Sequence, residues 1–383
     1  ALWQRLDEKE QGELLAGYWQ AYYQLSNELY KMDKTNLHAA RAVAQHELPN
    51  LLRAVHVALQ TDRAEEGVRF ADRVNYFLRF FEMRRDAEKL TEAAGKAGGA
   101  VGTQVWYLSQ NNKGIQLRQN GQPAAAAQVF ADTLAGLEET PSYERCLTLS
   151  MLGHCYESQG QPAKAEQLYR QELEELALLE QDDGVRRQTG ITHHYLADVL
   201  CDQRQYKEAE TAYQAGLEIA KEQGDTRAMA VSNGQLGTLA RKQGKLAEAA
   251  ERYKEALALF QRINEPASEA VLRHQLGIVY QLAEQWEAAE QAYRQSARLE
   301  EERGGQAGMI GAGQSWQQLA QVCKYTGRKA EAEQWYRKAL AAFQAADDRP
   351  GIARTLNNLA NLLKDDPARL DEARGLAEES LAI

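Results

Sequence analysis

Proline is scarce in this chain, with 7 among 383 residues, and the four cysteines Cys146, Cys155, Cys201 and Cys323 stand far apart. Few prolines leave room for long uninterrupted helices. The cysteines show neither the paired spacing of zinc ligands nor a dense disulfide framework, so they are expected as reduced thiols in a core or groove. No run approaches the roughly 18 to 20 apolar residues that a membrane span needs, and no signal-peptide pattern follows Ala1. These absences exclude a membrane partner and imply a cytoplasmic location. Excess positive charge is missing too: 45 basic and 55 acidic side chains give a formal −10, of which about −9 falls after residue 100. That sign disfavours a nucleic-acid backbone as partner.

Catalytic constellations are also absent. Gly244-Lys245 is followed by Leu246 and lacks the upstream glycine of a phosphate-binding loop. Gly308-Met309-Ile310-Gly311-Ala312-Gly313 is superficially like a dinucleotide loop, but no strand precedes it, and it reads as a loop between repeats that opens a helix. Among seven histidines, His154 and His194, with Asp198, Cys201 and Asp202 near the latter, have the residue types of a metal site. Polar lining of a groove is the preferred reading of that group. No metal, no cofactor and no enzymatic activity are therefore expected.

What the chain does contain is a register. A small residue is followed seven positions later by a turn, five later by Ala and four later by Tyr or Phe. It runs Gly114/Gly121/Ala126/Phe130, Gly153/Gly160/Ala165/Tyr169, Ala197/Arg204/Ala209/Tyr213, Gly237/Gly244/Ala249/Tyr253, Gly277/Glu284/Ala289/Tyr293 and Ala320/Gly327/Ala332/Tyr336. A seventh copy runs from Ala360 to Ala373 with one extra residue at its turn. In Leu236 to Phe260 the apolar residues recur at three and four, so one helix precedes Gly244 and another follows it. The small residue and Ala249 permit close crossing, Tyr253 fills the space between one pair and the next, and Gly244 suits the left-handed conformation that ends a helix. Stacked antiparallel helix pairs follow, an all-α solenoid in which no unit buries its apolar face alone.

This pattern resembles the tetratricopeptide repeat (TPR) family over about residues 104 to 383. The family's Leu-Gly or Leu-Ala pair stands as Leu152-Gly153, Leu196-Ala197, Leu236-Gly237, Leu276-Gly277, Leu319-Ala320 and Leu359-Ala360. The repeats here are longer than the common unit of about 34 residues, recurring after 39, 44, 40, 40, 43 and 40 positions. The linkers Gln223 to Ala228 and Asp347 to Ala353 are similar to those of the long-repeat members: Pins/LGN polarity adaptors, kinesin light chains and the sensor arms of bacterial STAND regulators. Thr355-Leu356-Asn357-Asn358-Leu359-Ala360-Asn361-Leu362-Leu363 is close to the kinesin light chain and LGN pattern. The resemblance implies a right-handed superhelical solenoid that binds a protein or peptide and catalyses nothing.

Residues 1–101 read as a helical region of degenerate repeats and 102–383 as about seven repeats. The aromatic segments Tyr18 to Tyr23 and Phe77 to Phe81 read as core. Pro49-Asn50-Leu51-Leu52-Arg53-Ala54-Val55 resembles the segment that often precedes the TPR arm in bacterial STAND-type NTPases (MalT-like and NB-ARC-like regulators). That resemblance implies an upstream nucleotide-binding module, with this chain as the C-terminal sensor arm. The missing initiator Met, the end at Leu381-Ala382-Ile383 inside an apparent second helix, and the lack of a polar cap all imply a fragment. A small-molecule effector receptor of a MalT-like regulator is the alternative.

In the TPR pattern, the first-helix residues three before and one, four and five after the small residue face the concave groove. Carried over to this chain, the early positions are Asn111, Arg118 and Gln119, then His154, Glu157 and Ser158, then His194, Asp198 and Asp202. The later ones are Thr238, Arg241, Lys242 and Gln281, then Gln317, Gln321, Lys324 and Tyr325, and finally Asn357 and Asn361. Glu157, Asp198 and Asp202 make the early groove acidic, and Arg241, Lys242 and Lys324 make the later groove basic. That polarity suits an extended segment of mixed charge. Only Asn357 and Asn361 match the carboxylate clamp of chaperone-binding members, so recognition of an acidic C-terminal tail of that type is not expected.

Overall fold

Helix-forming composition and the three-four spacing of apolar residues decide the architecture. The computed structural model describes residues 6–33, 36–61, 63–97 and 99–383, so Ala1 lies outside it; the described residues form α-helices and no strands. Two compact units divide at residue 185. The first contains α1 (Glu8–Asp33), α2 (Leu37–Leu59), α3 (Ala64–Phe80), α4 (Arg84–Lys96), α5 (Gln104–Gln119), α6 (Pro123–Gly136), α7 (Tyr143–Ser158) and α8 (Pro162–Ala177). The second is opened by α9 (Asp183–Asp202) and continues through α10 (Tyr206–Glu222), α11 (Thr226–Lys242), α12 (Leu246–Arg262), α13 (Pro266–Leu282) and α14 (Trp286–Arg303). It ends with α15 (Gly305–Tyr325), α16 (Lys329–Ala345), α17 (Arg349–Leu363) and α18 (Leu370–Ala382). Within each unit, helices pack chiefly on their neighbours in sequence, as helical repeats do.

The turn inside each repeat is the same backbone object whatever its residue. All six turn positions of the register have positive φ: 72° at Gly121, 69° at Gly160, 62° at Arg204, 77° at Gly244, 57° at Glu284 and 80° at Gly327. The N–H that follows each one bonds back to a carbonyl five residues earlier. Examples are Gln205 to Leu200 at 2.8 Å, Lys245 to Ala240 at 2.9 Å and Gln285 to Tyr280 at 2.8 Å. This closure satisfies carbonyls that a helix end would otherwise leave bare.

The small residue exists to receive the aromatic ring. A Cβ on Gly114 would stand 2.5 Å from Phe130 Cζ, on Gly153 2.6 Å from Tyr169 Cε1, on Gly237 2.9 Å from Tyr253 Cδ1, and on Gly277 2.5 Å from Tyr293 Cε1. Phe130, Tyr169, Tyr253 and Tyr293 are fully buried. Each such ring removes enough apolar surface to contribute about 1.5 to 3 kcal/mol.

Gly308 to Gly313, read from the sequence as a loop, lies inside α15; the turn is upstream, at Gly304 and Gly305, both with positive φ. The glycines serve close approach instead. A Cβ on Gly308 would meet the Glu300 carbonyl oxygen at 2.5 Å, and one on Gly313 would meet Phe343 Cε1 at 2.9 Å.

In the first unit Trp19 joins Leu51, Val55, Phe70, Val74 and Leu90 in one core, and Phe77 joins Leu29 and Ala44 in another. Phe80 departs from the core reading. It is 47% exposed, with the Arg41 guanidinium 3.4 Å above its ring, a cation–π arrangement. The segment around Pro49 lies inside α2, where Leu51, Ala54 and Val55 are buried and Arg53 is exposed. The four cysteines are free thiols and buried. Burial pushes the Cys146 thiol up to about 12 and the Cys155 thiol up to about 11. Among the described residues, no helix is long and apolar enough to cross a membrane.

Candidate functional site

The polar residues read as groove contacts fall into three groups according to their place in the repeat. Of those lying three positions before the small residue, His194 and Gln317 point at the next first helix. His194 Nε2 lies 2.9 Å from Ser232 Oγ on α11, and its ring meets Tyr213 edge-on. His274, at the same register, reaches Ser315 on α15 at 3.0 Å. Gln317 accepts from Arg354 Nε on α17 at 3.0 Å and is only 2% exposed. His194 and Gln317 are therefore wedges between stacked helices and not open groove contacts. Stacking brings that register against the neighbouring helix, which a single repeat read alone does not reveal. Desolvation holds both His194 and His274 at about 4, with His193 adding to the effect at His194. Asn357, at this register on α17, is exposed, and Asn111 on α5 is half-buried.

Positions one and four after the small residue carry a second task that the sequence reading missed. The buried ring needs a partner for its hydroxyl at the helix surface. Tyr169 donates to Glu157 at 2.6 Å, and His154 Nδ1 lies 2.8 Å from the same carboxylate. Tyr213 donates to Asp198. Tyr253 pairs with Thr238 at 2.9 Å, and Tyr293 donates to Gln281 at 2.8 Å. Phe130 has no hydroxyl and needs no such partner; the residue beside Gly114 is Ile115. Burial raises the Tyr213 phenol far above its ordinary value, with Asp198 reinforcing the shift.

The third group is the remainder. Asp202 and Lys242, both five after their small residue on successive first helices, stand 3.7 Å apart. The expected separation into an acidic early and a basic late groove fails at this point, because equal register in adjacent repeats means adjacency in space. Lys242 Nζ also lies 3.3 Å from Cys201 Sγ. Arg118 on α5, Arg241 on α11 and Lys324 on α15 have no carboxylate within ion-pair distance among the described residues, and the Arg241 Nε is buried without a hydrogen-bond partner. Gln321 and Asn361 are half-exposed, and Asn361 bonds only within its own helix, to Asn357. Tyr325 is 69% exposed and stacks on Trp286. Among the described residues no three of His, Cys, Asp or Glu converge as a metal site.

Stacked antiparallel helix pairs, six of them with a buried aromatic at the crossing, and a polar first-helix face define a helical-repeat protein. The chain belongs to the tetratricopeptide repeat family, whose pattern matches residues 148–184, 188–262, 228–302 and 312–383. A comparison with curated proteins gives no match. Among solved structures, it is similar to the Signal Transduction ATPase with Numerous Domains (STAND) protein with a tetratricopeptide repeat sensor from Pyrococcus horikoshii. That match has TM-score 0.68 and 18% identity and covers 94% of this chain and 52% of the other. The chain thus spans about half the length of that protein. It is also similar to the apo form of the quorum sensor NprR from B. thuringiensis, with TM-score 0.61, 15% identity and 97% and 98% coverage. The apo form of RapI gives 0.61, 14%, 94% and 98%. At these identities the likeness is one of fold.

Proposed function

We propose that the chain is a non-enzymatic binding module that receives an extended peptide or protein segment along the first-helix face of its second unit, with carboxylates of that segment meeting Arg241 and Lys324. The observation that carries this reading is the pair of cations without a counter-ion on α11 and α15, flanked by the outward amides Gln321, Asn357 and Asn361. An unneutralised cation on a structured face favours an anionic partner, and neutral amides hold a peptide backbone without selecting one side chain. The narrower form is the sensor arm of a larger regulator. The shared fold with a STAND tetratricopeptide sensor and with a quorum sensor supports that form.

The test uses a fluorescein-labelled extended peptide of alternating Asp and Ser, read by anisotropy at low and physiological salt. Arg241→Glu combined with Lys324→Glu is expected to weaken binding about 10-fold at low salt and less at physiological salt, because exposed charges are worth under about 1 kcal/mol each and are screened. Lys254→Glu with Glu251→Lys reverses an ion pair on the second helix α12 and should leave binding unchanged. Equal loss from both sets would move the functional surface off the first-helix face.

A further inference from the structure

A cleft of about 240 Å³ opens in the first unit where the C-terminal turn of α3, the start of α4 and the last turns of α5 meet. It is lined at one side by Arg79. That guanidinium donates to Asn112 Oδ1 at 2.9 Å, and Asn112, 1% exposed, gives its own amide hydrogens to Asp72 at 3.2 Å and to the Leu108 carbonyl at 3.0 Å. Asn112 therefore fixes the guanidinium without neutralising it. Among the described residues no carboxylate lies within ion-pair distance of Arg79; the nearby Asp72 is paired with Arg73 at 3.1 Å. Burial pulls the Arg79 guanidinium below its ordinary range, with Asp72 opposing. This is a half-buried cation awaiting a partner, a costly arrangement unless something supplies the negative charge.

The rest of the lining matches that need. Arg84, in the first turn of α4, is a second guanidinium with no carboxylate partner among the described residues, and it is exposed at the mouth. Thr91, 8% exposed, accepts from Asn75 Nδ2 at 3.2 Å, which leaves its hydroxyl proton to give. Gln116 and Gln119 add amide donors from α5. Glu82 is the one carboxylate in the lining, and it is exposed, in the left-handed turn at φ 57°. Ala87 is the one apolar side chain, and no aromatic side chain lines the cleft.

We propose that this cleft is a binding site for a small oxyanion, a polycarboxylate or a phosphate, held by Arg79 within and Arg84 at the mouth. Guanidinium forks match the paired oxygens of either group. The volume equals that of about eight waters, which sets the ligand at metabolite size. The lining belongs wholly to the first unit and includes Gln119, one of the groove positions read from the sequence, whereas Arg241 and Lys324 belong to the second unit.

Titration calorimetry of the whole chain with citrate, and separately with inorganic phosphate, tests the site. One saturable site with a Kd below about 1 mM is expected for one or both. Citrate binding alone would identify carboxylate chemistry, and phosphate binding alone would identify phosphate chemistry. Arg79→Gln should weaken binding more than about 10-fold and Arg84→Gln about 3- to 10-fold, in the range of a lost charge-assisted bond. Arg53→Gln, which removes an exposed charge on α2 away from the cleft, should change nothing. Should Arg79→Gln fail to fold, the contrast between Arg84→Gln and Arg53→Gln carries the test. Ligand-induced protection of the first-turn amides of α4 in hydrogen exchange provides a second readout. No saturable binding of either anion up to about 10 mM, or equal affinity in the Arg84→Gln and Arg53→Gln variants, overturns the proposal.

Discussion

Adding one methyl group at Gly277 should cost stability, whereas the same methyl at Gly375 should add it. Both glycines lie inside helices of the second unit, α13 and α18. A Cβ at Gly375 meets nothing within 4 Å, but at Gly277 it would stand 2.5, 2.6 and 2.8 Å from Cε1, Cδ1 and Cζ of Tyr293. Exchanging Gly for Ala in a helix interior gains about 0.5 to 1 kcal/mol from backbone entropy. At Gly375 that gain should appear whole. At Gly277 the ring must retreat by about 1 Å to restore ordinary contact, and overpacking of this kind costs about 1 to 3 kcal/mol. Tyr293 has little freedom to retreat, being fully buried with its hydroxyl bonded to Gln281 at 2.8 Å. The net expectation is a loss of up to about 2 kcal/mol at Gly277 against a gain of up to about 1 kcal/mol at Gly375. Native-state hydrogen exchange is the suitable assay, since a repeat array opens locally and a single global midpoint blurs the difference. Amides of α13 and α14 would report one variant and those of α18 the other. If Gly277→Ala protects α13 and α14 as fully as Gly375→Ala protects α18, the helix crossing is not limited by the ring and the packing account is wrong.

Arg204→Gly and Glu284→Gly should each stabilise by up to about 1 kcal/mol, because an L side chain is strained at φ 62° and 57° and glycine is not; unchanged native-state exchange protection of the helices on either side of the turn would contradict this. Acid should weaken the second unit. His194 and His274 fall from 6.5 to about 4 in the fold, so between these values the unfolded chain binds protons that the folded chain refuses. Their stabilisation is whole above pH 6.5, is lost as pH falls towards 4, and amounts to at most about 3 kcal/mol each. Opening free energies of the second unit from native-state hydrogen exchange at pH 7 and pH 5 should differ in the wild type and much less in the His194→Gln, His274→Gln double variant.

The crossing geometry was legible in the sequence because it depends on residues within one helix pair: Gly237 faces Tyr253 whatever surrounds them. Even the non-glycine turns at Arg204 and Glu284 followed from the register. What escaped was set by stacking. Gln317 is buried by Arg354, 37 positions away, and Asp202 is neutralised by Lys242, 40 positions away, so neither fate can be read from one repeat. Gly308 to Gly313 misled because glycines that admit a neighbour's bulk look in sequence like glycines that bend a chain. The Arg79 cleft joins α3 and α4, where the register is weak, to α5, which opens the first clear repeat, and no motif marks it.

Because helices in each unit pack chiefly on their sequence neighbours, little of the fold waits for distant chain to arrive. A growing polypeptide emerges N-terminus first at roughly 5 to 20 residues per second, so a pair of about 40 residues leaves the ribosome in roughly 2 to 8 s. Helices and their short connections form far faster than that. Each pair can therefore close on the preceding one before the next is made. The apolar stripe bare at any moment of synthesis is that of a single helix pair, which keeps the nascent chain's exposure to aggregation small and constant along its length.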